Sequence, residues 1–310
     1  MNQESSSELD SEIDIKALVS ALWNEKKLIG IMTSCFAILS VIYALSLPNY
    51  FTSQSTLYPV LDDADTSSSI SSMASRFGGI ASVAGITLPS GNGASKTDIM
   101  LATINSREFF SHLLTFEGIR ENIFATESYN PSEKKIDFDP DIYDSTNNKW
   151  LDGVPTDLQV HKLYKQQILD LSQDKASGLI TINVTHKSPI FAQEFLDLII
   201  SEINNIMRQR DIVETSNSLK YLTEQLANTN QADVRFSIGQ LIESQLKKQM
   251  LTKVRKFYIL NPIDRPVVPE EKSKPKRSEI VITYTILGFI ISILFAISKH
   301  YAFIFKDQKS

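Results

Sequence analysis

The stretch "GLITINVTHKSPIFAQEFLDLIISEIN", residues 178–204, joins a strand pattern directly to the beginning of a very long helix pattern. Its first part alternates apolar and polar residues, which is the period of a half-buried strand. Ser188 and Pro189 then supply a capping serine and a proline at the first helical position, a typical helix start. Because no glycine or further proline follows until Gly239, we predict a helix from Pro189 to about Ala227, about 58 Å long.

The sequence beyond this helix predicts an antiparallel helical hairpin. The segment "NTNQAD", residues 228–233, supplies the turn, and a second helix follows to about residue 258. The distal half of the first helix and the whole of the second carry only a thin apolar stripe, to be covered either within the hairpin or by neighbouring subunits. The stripe residues are Ile212, Leu219, Leu222, Leu226, Val234, Ile238, Ile242 and Leu246.

The remaining water-soluble part is predicted to form a mixed α/β base. "YFTSQSTLYPV", residues 50–60, is predicted to be a strand. "ILDLSQD" and "LITINVTH", residues 168–174 and 179–186, are predicted to pair as a hairpin. Helical periodicity predicts a helix at 97–116, and Pro155-Thr156 begins a predicted short helix to about 166. The polar composition of 127–153 predicts an exposed excursion, and residues 62–96 are predicted to be either a small amphipathic helix or a mobile loop.

Two uncharged segments, residues 28–47 and 280–298, are long enough to cross a bilayer, which takes about 20 apolar residues. The chain as a whole is only 42% hydrophobic, so most of it suits water. A cleaved signal peptide is the alternative for the first segment, but its long acidic leader and long apolar run favour a membrane span. A buried core helix is the alternative for the second.

Charge around these segments favours cytoplasmic ends. Lys26, Lys27 and Lys299 flank the spans on the side of the termini. The basic cluster at 272–277 points the other way, but a large domain translocates largely regardless of charge. We therefore expect cytoplasmic termini and an extracytoplasmic domain.

The predicted organisation is as follows: a cytoplasmic tail (1–27), a first transmembrane helix (28–47), an α/β base domain (48–188), a long helical hairpin (189–258), a proline-rich tether (259–279), a second transmembrane helix (280–298) and a cytoplasmic tail (299–310). In the tether, prolines hold an extended, semi-rigid path and the basic residues are expected at the lipid headgroups. The tether prolines are Pro262, Pro266, Pro269 and Pro275.

Small residues recur every three or four positions on one face of each apolar segment. Such faces let transmembrane helices approach closely, although ordinary membrane composition also contains many small residues. The predicted packing residues are Gly30, Ser34, Ala37, Gly288, Ser292 and Ala296.

No motif in the sequence predicts catalysis, a cofactor or a metal ion. "GNGASKT", residues 91–97, lacks two of the glycines of a phosphate-binding loop. "DFDPDIYD", residues 137–144, lacks the turn glycine and the final glutamate of a calcium loop. The four histidines are scattered, Cys35 is the only cysteine, and the net charge of −5 gives no reason to expect nucleic acid.

Four segments in order around the two spans resemble a known family. They are residues 12–27 ("EIDIKALVSALWNEKK"), 50–60, 178–204, and 241–277 ("LIESQLKKQMLTKVRKFYILNPIDRPVVPEEKSKPKR"). Together they resemble the polysaccharide co-polymerases, specifically the Wzz-type O-antigen chain-length determinants. The single glycine of the second span, Gly288, departs from many members, which carry more.

The resemblance implies an α+β membrane protein in which two terminal transmembrane helices flank a periplasmic α/β base with a long helical hairpin. It implies a ring-like homo-oligomer in the inner membrane of a Gram-negative bacterium, a separate polysaccharide polymerase as partner, and the growing lipid-linked polysaccharide as the regulated polymer. The implied role is non-enzymatic regulation of lipopolysaccharide O-antigen chain length, without a cofactor. Capsule, enterobacterial common antigen or exopolysaccharide synthesis is the alternative. A two-span sensor is disfavoured, because only twelve residues follow Ser298.

Overall fold

The structure, a computed structural model, describes residue 23 and residues 25–60 and 95–307. The chain divides into two compact units, one of residues 1–49 with 273–310 and the other of residues 50–272. Most of the acidic leader, and all but the end of the segment predicted as a small helix or loop, lie outside the described residues.

The larger unit is built on a four-stranded antiparallel sheet. In their order across the sheet, the strands are β6 (Leu169–Gln173), β7 (Ile180–His186), β1 (Phe51–Pro59) and β8 (Leu260–Pro262), numbered by their order in the chain. The predicted early strand and the predicted hairpin are therefore confirmed, and β1 pairs with β7 so that Ser55 lies opposite Ile182.

The long helix is confirmed as α6 (Pro189–Asn228). The hydroxyl of Ser188 accepts a hydrogen bond from the backbone N–H of Phe191, as expected of a capping serine. The first half of α6 packs its apolar face on the sheet, and the buried face extends as far as Met207. Its largest fully buried side chains are Phe195, Leu196 and Ile199.

Short helices cover the rest of this core. They are α2 (Lys96–Ile104), α3 (Arg107–Leu113), α4 (Ile119–Phe124) and α5 (Asp157–Leu163), the last continued by a π-helical turn at Tyr164–Ile168. The single helix predicted over 97–116 is divided in two, because Ser106 caps a new helix through the N–H of Phe109. The predicted helix at 155–166 is found as α5 and this turn.

The predicted polar excursion at 127–153 contains more structure than its composition indicated. It contains two small hairpins, formed by β2 (Thr126–Asn130), β3 (Lys135–Phe138), β4 (Tyr143–Asp144) and β5 (Lys149–Trp150). The ring of Tyr143 contacts those of Phe138 and Trp150, with centroids 5.4 and 4.9 Å away. These aromatic contacts hold the two hairpins together. The polar composition of the segment did not indicate them.

The second helix of the hairpin, α7 (Ala232–Val254), ends earlier than predicted. The segment predicted as the start of a free tether instead enters the sheet as β8, at Pro262 and the two residues before it. Ser55 Oγ donates to the carbonyl of Asp264 at 2.6 Å, and Ser53 Oγ donates to that of Val267 at 2.9 Å. The prediction of an extended tether from 259 is thus corrected, because the open edge of β1 supplies hydrogen-bond partners to this segment as far as Val267.

The smaller unit pairs two apolar helices, α1 (Lys26–Ser46) and α8 (Arg277–Asp307). Both are long and apolar enough to cross a membrane, and only 11% and 17% of their most apolar windows are buried. Neither is therefore the buried core helix of a water-soluble domain. The predicted fold class, α+β with an apolar helix near each end and a long helical hairpin, is confirmed.

We predict that acid destabilises the junction between β7 and α6. The imidazole of His186 is buried, donates through Nε2 to the carbonyl of Asn122 at 2.8 Å, and accepts from the N–H of Ser188 at 3.0 Å. Burial lowers the pKa of His186 to about 4. An unfolded histidine titrates near 6.5, so stability from this group is complete above that pH and is lost as pH falls towards 4, by about 3 kcal/mol.

Thermal unfolding of the detergent-purified protein between pH 7.5 and 4 measures this effect. His186→Gln should flatten the pH dependence of Tm, whereas His112→Gln, at a half-exposed position, should retain it. An unchanged slope in His186→Gln would assign the acid sensitivity to other groups.

Candidate functional site: the helical hairpin and the paired apolar helices

The two helices of the hairpin meet along a seam that is polar near the sheet and apolar near the tip. On α6 the buried residues are spaced by three or four, and they are Asp211, Thr215, Ser218 and Leu222. On α7 they are Ile238, Leu241, Gln245 and Thr252. Leu222, Ile238 and Leu241 form a small apolar cluster separate from the main core.

The polar seam residues are satisfied mainly by their own helices. Thr215 Oγ1 donates to the carbonyl of Asp211 at 2.7 Å, and Thr252 Oγ1 donates to that of Lys248 at 2.8 Å. Because these hydroxyl groups donate to carbonyls of their own helix, the two helices can approach closely without leaving the hydroxyl donors unsatisfied. Gln249 Nε2 also donates across the hairpin to Ser216 Oγ at 2.9 Å.

The predicted apolar stripe is offset from this seam. Leu222 and Ile238 are buried in the tip cluster, and Leu226, Val234 and Ile242 pack against it. Ile212 and Leu219, however, lie beside the seam and are half-buried, and Leu246 is 44% exposed. The small polar residues take the contact at the base because they allow a closer approach than the larger apolar side chains.

A charged cluster holds the base of the hairpin at the point where α6 leaves the sheet. Lys96 Nζ lies 2.7 Å from Asp211 Oδ2 and 3.2 Å from the hydroxyl of Tyr258, which itself donates a hydrogen bond to Asp211. Burial, and then the carboxylate, raise the pKa of Tyr258 to about 12. We call Lys96, Asp211 and Tyr258 the base clamp. It ties α2, α6 and the segment after α7 together.

The side chain of Asn204 fixes the chain that returns from α7. Its Oδ1 accepts hydrogen bonds from the backbone N–H groups of Tyr258, Ile259 and Leu260 at 2.9, 2.9 and 3.1 Å. Its Nδ2 donates to the carbonyl of Leu260 at 3.1 Å. The sequence analysis predicted a role neither for Asn204 nor for the base clamp. The one indication in the sequence was that Asn204 places a polar amide within the apolar half of α6.

The face of α7 opposite the seam exposes large apolar side chains. Phe236 is 69% exposed, Met250 68%, Val254 83% and Leu246 44%. Phe236 and Val254 lie on the side of the helix opposite the seam, Met250 lies near them, and Leu246 lies at the edge of that side, about 90° from the seam. We call these four residues the outer apolar face. Met250 and Val254 are one helical turn apart on this face, and exposed apolar neighbours of this kind are typical of protein contacts.

In the smaller unit, α1 and α8 pack antiparallel through a small-to-large contact. A Cβ added at Gly288 would collide with the Cβ and Cγ of Phe36. Ser292 and Ala296 are also buried, as are Ser40 and Ala44 on α1. Polar contacts flank the pair: Lys299 Nζ lies 2.7 Å from Glu25 Oε1, and Arg277 donates to the carbonyl of Leu47 at 3.2 Å.

The predicted packing residues of α8 lie at the contact between the two helices, whereas those of α1 mostly do not. Gly288, Ser292 and Ala296 lie at the contact, but Gly30 and Ser34 are exposed and Ala37 is half-buried. Nothing lies within 4 Å of a Cβ built at Gly30. The structure therefore does not bring Gly30 and Ser34 to α8, because the face of α1 that meets Gly288 carries Phe36.

The other predicted sites are placed as follows. Pro262 lies in β8, Pro266 lies in the wall of a cleft beside α6, and Pro269 and Pro275 are half-buried. Within the described residues there is no group of three or more histidine, cysteine or acidic side chains placed to hold a metal ion. Of the rejected phosphate-loop pattern, the described end begins α2, where Ser95 and Asp98 form a capping box.

We predict that Leu222→Glu opens the hairpin. The substitution removes a fully buried side chain and places an unpaired carboxylate in the tip cluster, at a cost of about 3 kcal/mol or more. Hydrogen–deuterium exchange of α6 and α7 should show faster exchange around the seam. Thr223→Glu adds the same charge at the neighbouring exposed position and should leave protection unchanged. Equal protection in both variants would contradict the role of the tip cluster.

We predict that Gly288→Leu separates α1 from α8, whereas Gly30→Leu does not. Overpacking costs about 1–3 kcal/mol and is imposed only at Gly288, where Phe36 occupies the space. Cysteines replacing Tyr43 and Tyr284, whose rings lie 6.0 Å apart, report the pairing by oxidative crosslinking in a Cys35→Ser background. Crosslinking should fall with Gly288→Leu and persist with Gly30→Leu, and an equal fall in both would place the contact elsewhere. We expect Gly288→Leu to be milder than Leu222→Glu.

Comparison with known proteins links the chain to one family. The family model described as "Wzz: Chain length determinant protein" matches residues 11–109, which include α1, β1 and α2. No curated protein matches. Among solved structures, a "full-length bacterial polysaccharide co-polymerase" is 13% identical with a TM-score of 0.43, and the match covers 93% of this chain and 98% of that one.

A second solved structure is a "Fragment of WzzB, Polysaccharide Co-polymerase from Salmonella Typhimurium". It is 12% identical with a TM-score of 0.30, and the match covers 73% of this chain and 100% of that one. The likeness to this family thus depends on the match to the family model, which covers about a third of the chain. The resemblance of this chain to the Wzz-type chain length determinant family is confirmed by that match, over residues 11–109.

Proposed function

We propose that this protein is an oligomeric inner-membrane co-polymerase that sets the chain length of lipopolysaccharide O-antigen. The observation that carries the proposal is the match of residues 11–109 to the family of chain length determinant proteins. The paired apolar helices and the hairpin agree with the architecture that the resemblance implies. In this proposal a separate polymerase performs the glycosyl transfer, and this chain biases how long the polymerase extends one lipid-linked polymer.

In the proposed topology α1 and α8 cross the inner membrane, the termini lie in the cytoplasm and residues 50–272 lie in the periplasm. Two helices of suitable length and composition support it, because a chain with two spans has both ends on one side. The lysines on the side of the termini support the orientation.

The outer apolar face of α7 supports the proposed homo-oligomer. Phe236, Met250 and Val254 are more than half exposed although the seam on the opposite side of the same helix is buried. Such side chains gain about 25 cal/mol for each Å² of apolar surface that a neighbouring subunit covers. Repeated around a closed ring, one such heterologous contact per subunit leaves no unpaired surface.

The proposed role is non-enzymatic. Among the described residues, the buried carboxylate of Asp211 at the base of the hairpin is paired with the half-buried Lys96 in the base clamp. That arrangement favours a structural function for them, namely holding the direction in which the hairpin leaves the sheet.

We predict that deleting the gene leaves polymerisation intact and removes the preferred chain length. A silver-stained gel of lipopolysaccharide should change from a clustered ladder of long chains to a broad distribution weighted towards short ones, since the polymerase acts without its bias. Expression from a plasmid should restore the cluster. Complete loss of polymer would mean that the protein is needed for synthesis itself, and the proposal of a length regulator would fall. An unchanged lipopolysaccharide with altered capsule would instead favour the alternative polysaccharide.

We predict that Met250→Glu, combined with Val254→Glu, reduces the assembled mass. The two carboxylates would be buried without partners if subunits pack on the outer apolar face, which is costly. Light scattering of the detergent-purified protein should show several protomers for the native chain and fewer for the variant. Thr223→Glu should assemble normally; native mass in the double variant would place the subunit contact on another surface.

A further inference from the structure

A cleft of about 290 Å³ lies between the outward face of α6 and the segment that follows α7. One wall is formed by Asp197, Ser201 and Asn205, and the other by residues between Lys256 and Pro266. Its α6 wall lies on the side of that helix that carries exposed polar residues, and Asn204 also lines it. Its volume is at the lower end of the range of about 300–1,000 Å³ for small-molecule sites.

The α6 wall is a row of polar groups in which hydrogen-bonding capacity remains free. Asp197, Ser201 and Asn205 are four residues apart, so they follow one another at intervals of about 6 Å along one helix face. In the part of the chain that the structure describes, neither the carboxylate of Asp197 nor the hydroxyl of Ser201 has a protein partner. Asn205 donates through Nδ2 to Glu202 at 3.0 Å, which leaves its carbonyl oxygen available to a ligand.

The opposite wall combines cationic donors with apolar surface. The guanidinium of Arg265 also has no protein partner among the described residues, and it offers several N–H donors. The ring of Phe257 is half-buried, with Lys256 Nζ 5.6 Å from its centroid. Pro262 and Pro266 add apolar surface beside this ring.

This combination fits a sugar unit better than the other common ligand classes. A pyranose is both donor and acceptor at its hydroxyl groups, so it can use a carboxylate on one side and a guanidinium on the other. The C–H face of a sugar is apolar and can pack on an aromatic ring or on proline. Phosphate is disfavoured because Asp197 would repel it, and a lipid chain is disfavoured because it would leave Asp197 and Arg265 unpaired.

We propose that this cleft, between Asp197 and Arg265, is a binding site for one or two sugar units of the polysaccharide whose length the protein controls. The proposal rests on the proposed function, since it takes the polymer from there and adds the place where this chain touches it. A site of this size gives a dissociation constant on the order of millimolar for one sugar unit. Weak contacts repeated on several subunits would hold a long polymer more firmly than a short one, because each added contact is intramolecular.

Saturation-transfer NMR on the full-length protein in nanodiscs tests this site. The probe is the polysaccharide released by mild acid hydrolysis from the surface of the strain that carries the gene. Asp197→Asn and Arg265→Gln each remove the charge of one exposed side chain in the cleft. Neither substitution breaks a contact within the described part of the protein. Losing a hydrogen bond to a charged group should weaken binding at least about tenfold in each variant.

Asp152→Asn and Lys165→Gln are the controls, because each removes one charge of the same sign as its cleft variant at an exposed position outside the cleft. Native-strength binding in Asp197→Asn and Arg265→Gln, or an equal loss in the controls, would overturn the site. Loss confined to the two cleft variants would support it. Native-strength binding in the cleft variants, together with loss of the preferred length on gene deletion, removes the cleft but not the proposed function. An unchanged length distribution on deletion removes the proposed function, while the binding comparison still decides whether the cleft holds sugar.

Discussion

The architecture of the larger unit depends on one buried carboxamide, that of Asn204. A helical hairpin 40 residues long on one side and 23 on the other must bring its second helix back to the sheet from which the first began. The side-chain oxygen of Asn204 accepts hydrogen bonds from the N–H groups of Tyr258, Ile259 and Leu260, so these residues can be buried without unsatisfied N–H groups. Only then can Leu260 and its neighbours pair with β1 as the edge strand β8.

Because Asn204 and the base clamp fix the hairpin at its base, the seam above them needs few apolar contacts. Thr215 and Ser218 are buried there with their hydroxyl groups bonded within α6, and the apolar cluster at Leu222 closes the distal end. The larger apolar side chains of α7 are thereby left outside, at Phe236, Met250 and Val254. An intrachain contact built from small polar residues thus leaves apolar side chains exposed on the outer side of α7.

The sequence predicted those parts of the fold that follow a local period. The strands at β1 and β7, the start of α6 at Ser188 and the two apolar helices all have patterns within about 20 residues, and each was located correctly. The features that the sequence did not predict depend on residues far apart in the chain. The seam contains Asp211 and not the predicted Ile212, because Asp211 binds Lys96 and Tyr258, which lie more than 40 residues away in either direction. The entry of 260–262 into the sheet likewise depends on the open edge of β1, and a run rich in proline gave no sign of it.

The pairing of α1 with α8 shows why matching motifs on two helices are insufficient to define a contact. Gly288, Ser292 and Ala296 lie at the interface, yet the residue opposite Gly288 is Phe36 and not a member of the small-residue row of α1. Close packing needs complementary volumes, so a large side chain on one helix can occupy the space beside a glycine on the other. Gly30 and Ser34 then remain on an outward face of α1 with Cys35 and Ile38. Within a membrane such a face costs little to leave against lipid, and it is equally able to receive another helix, so small residues alone do not identify the partner.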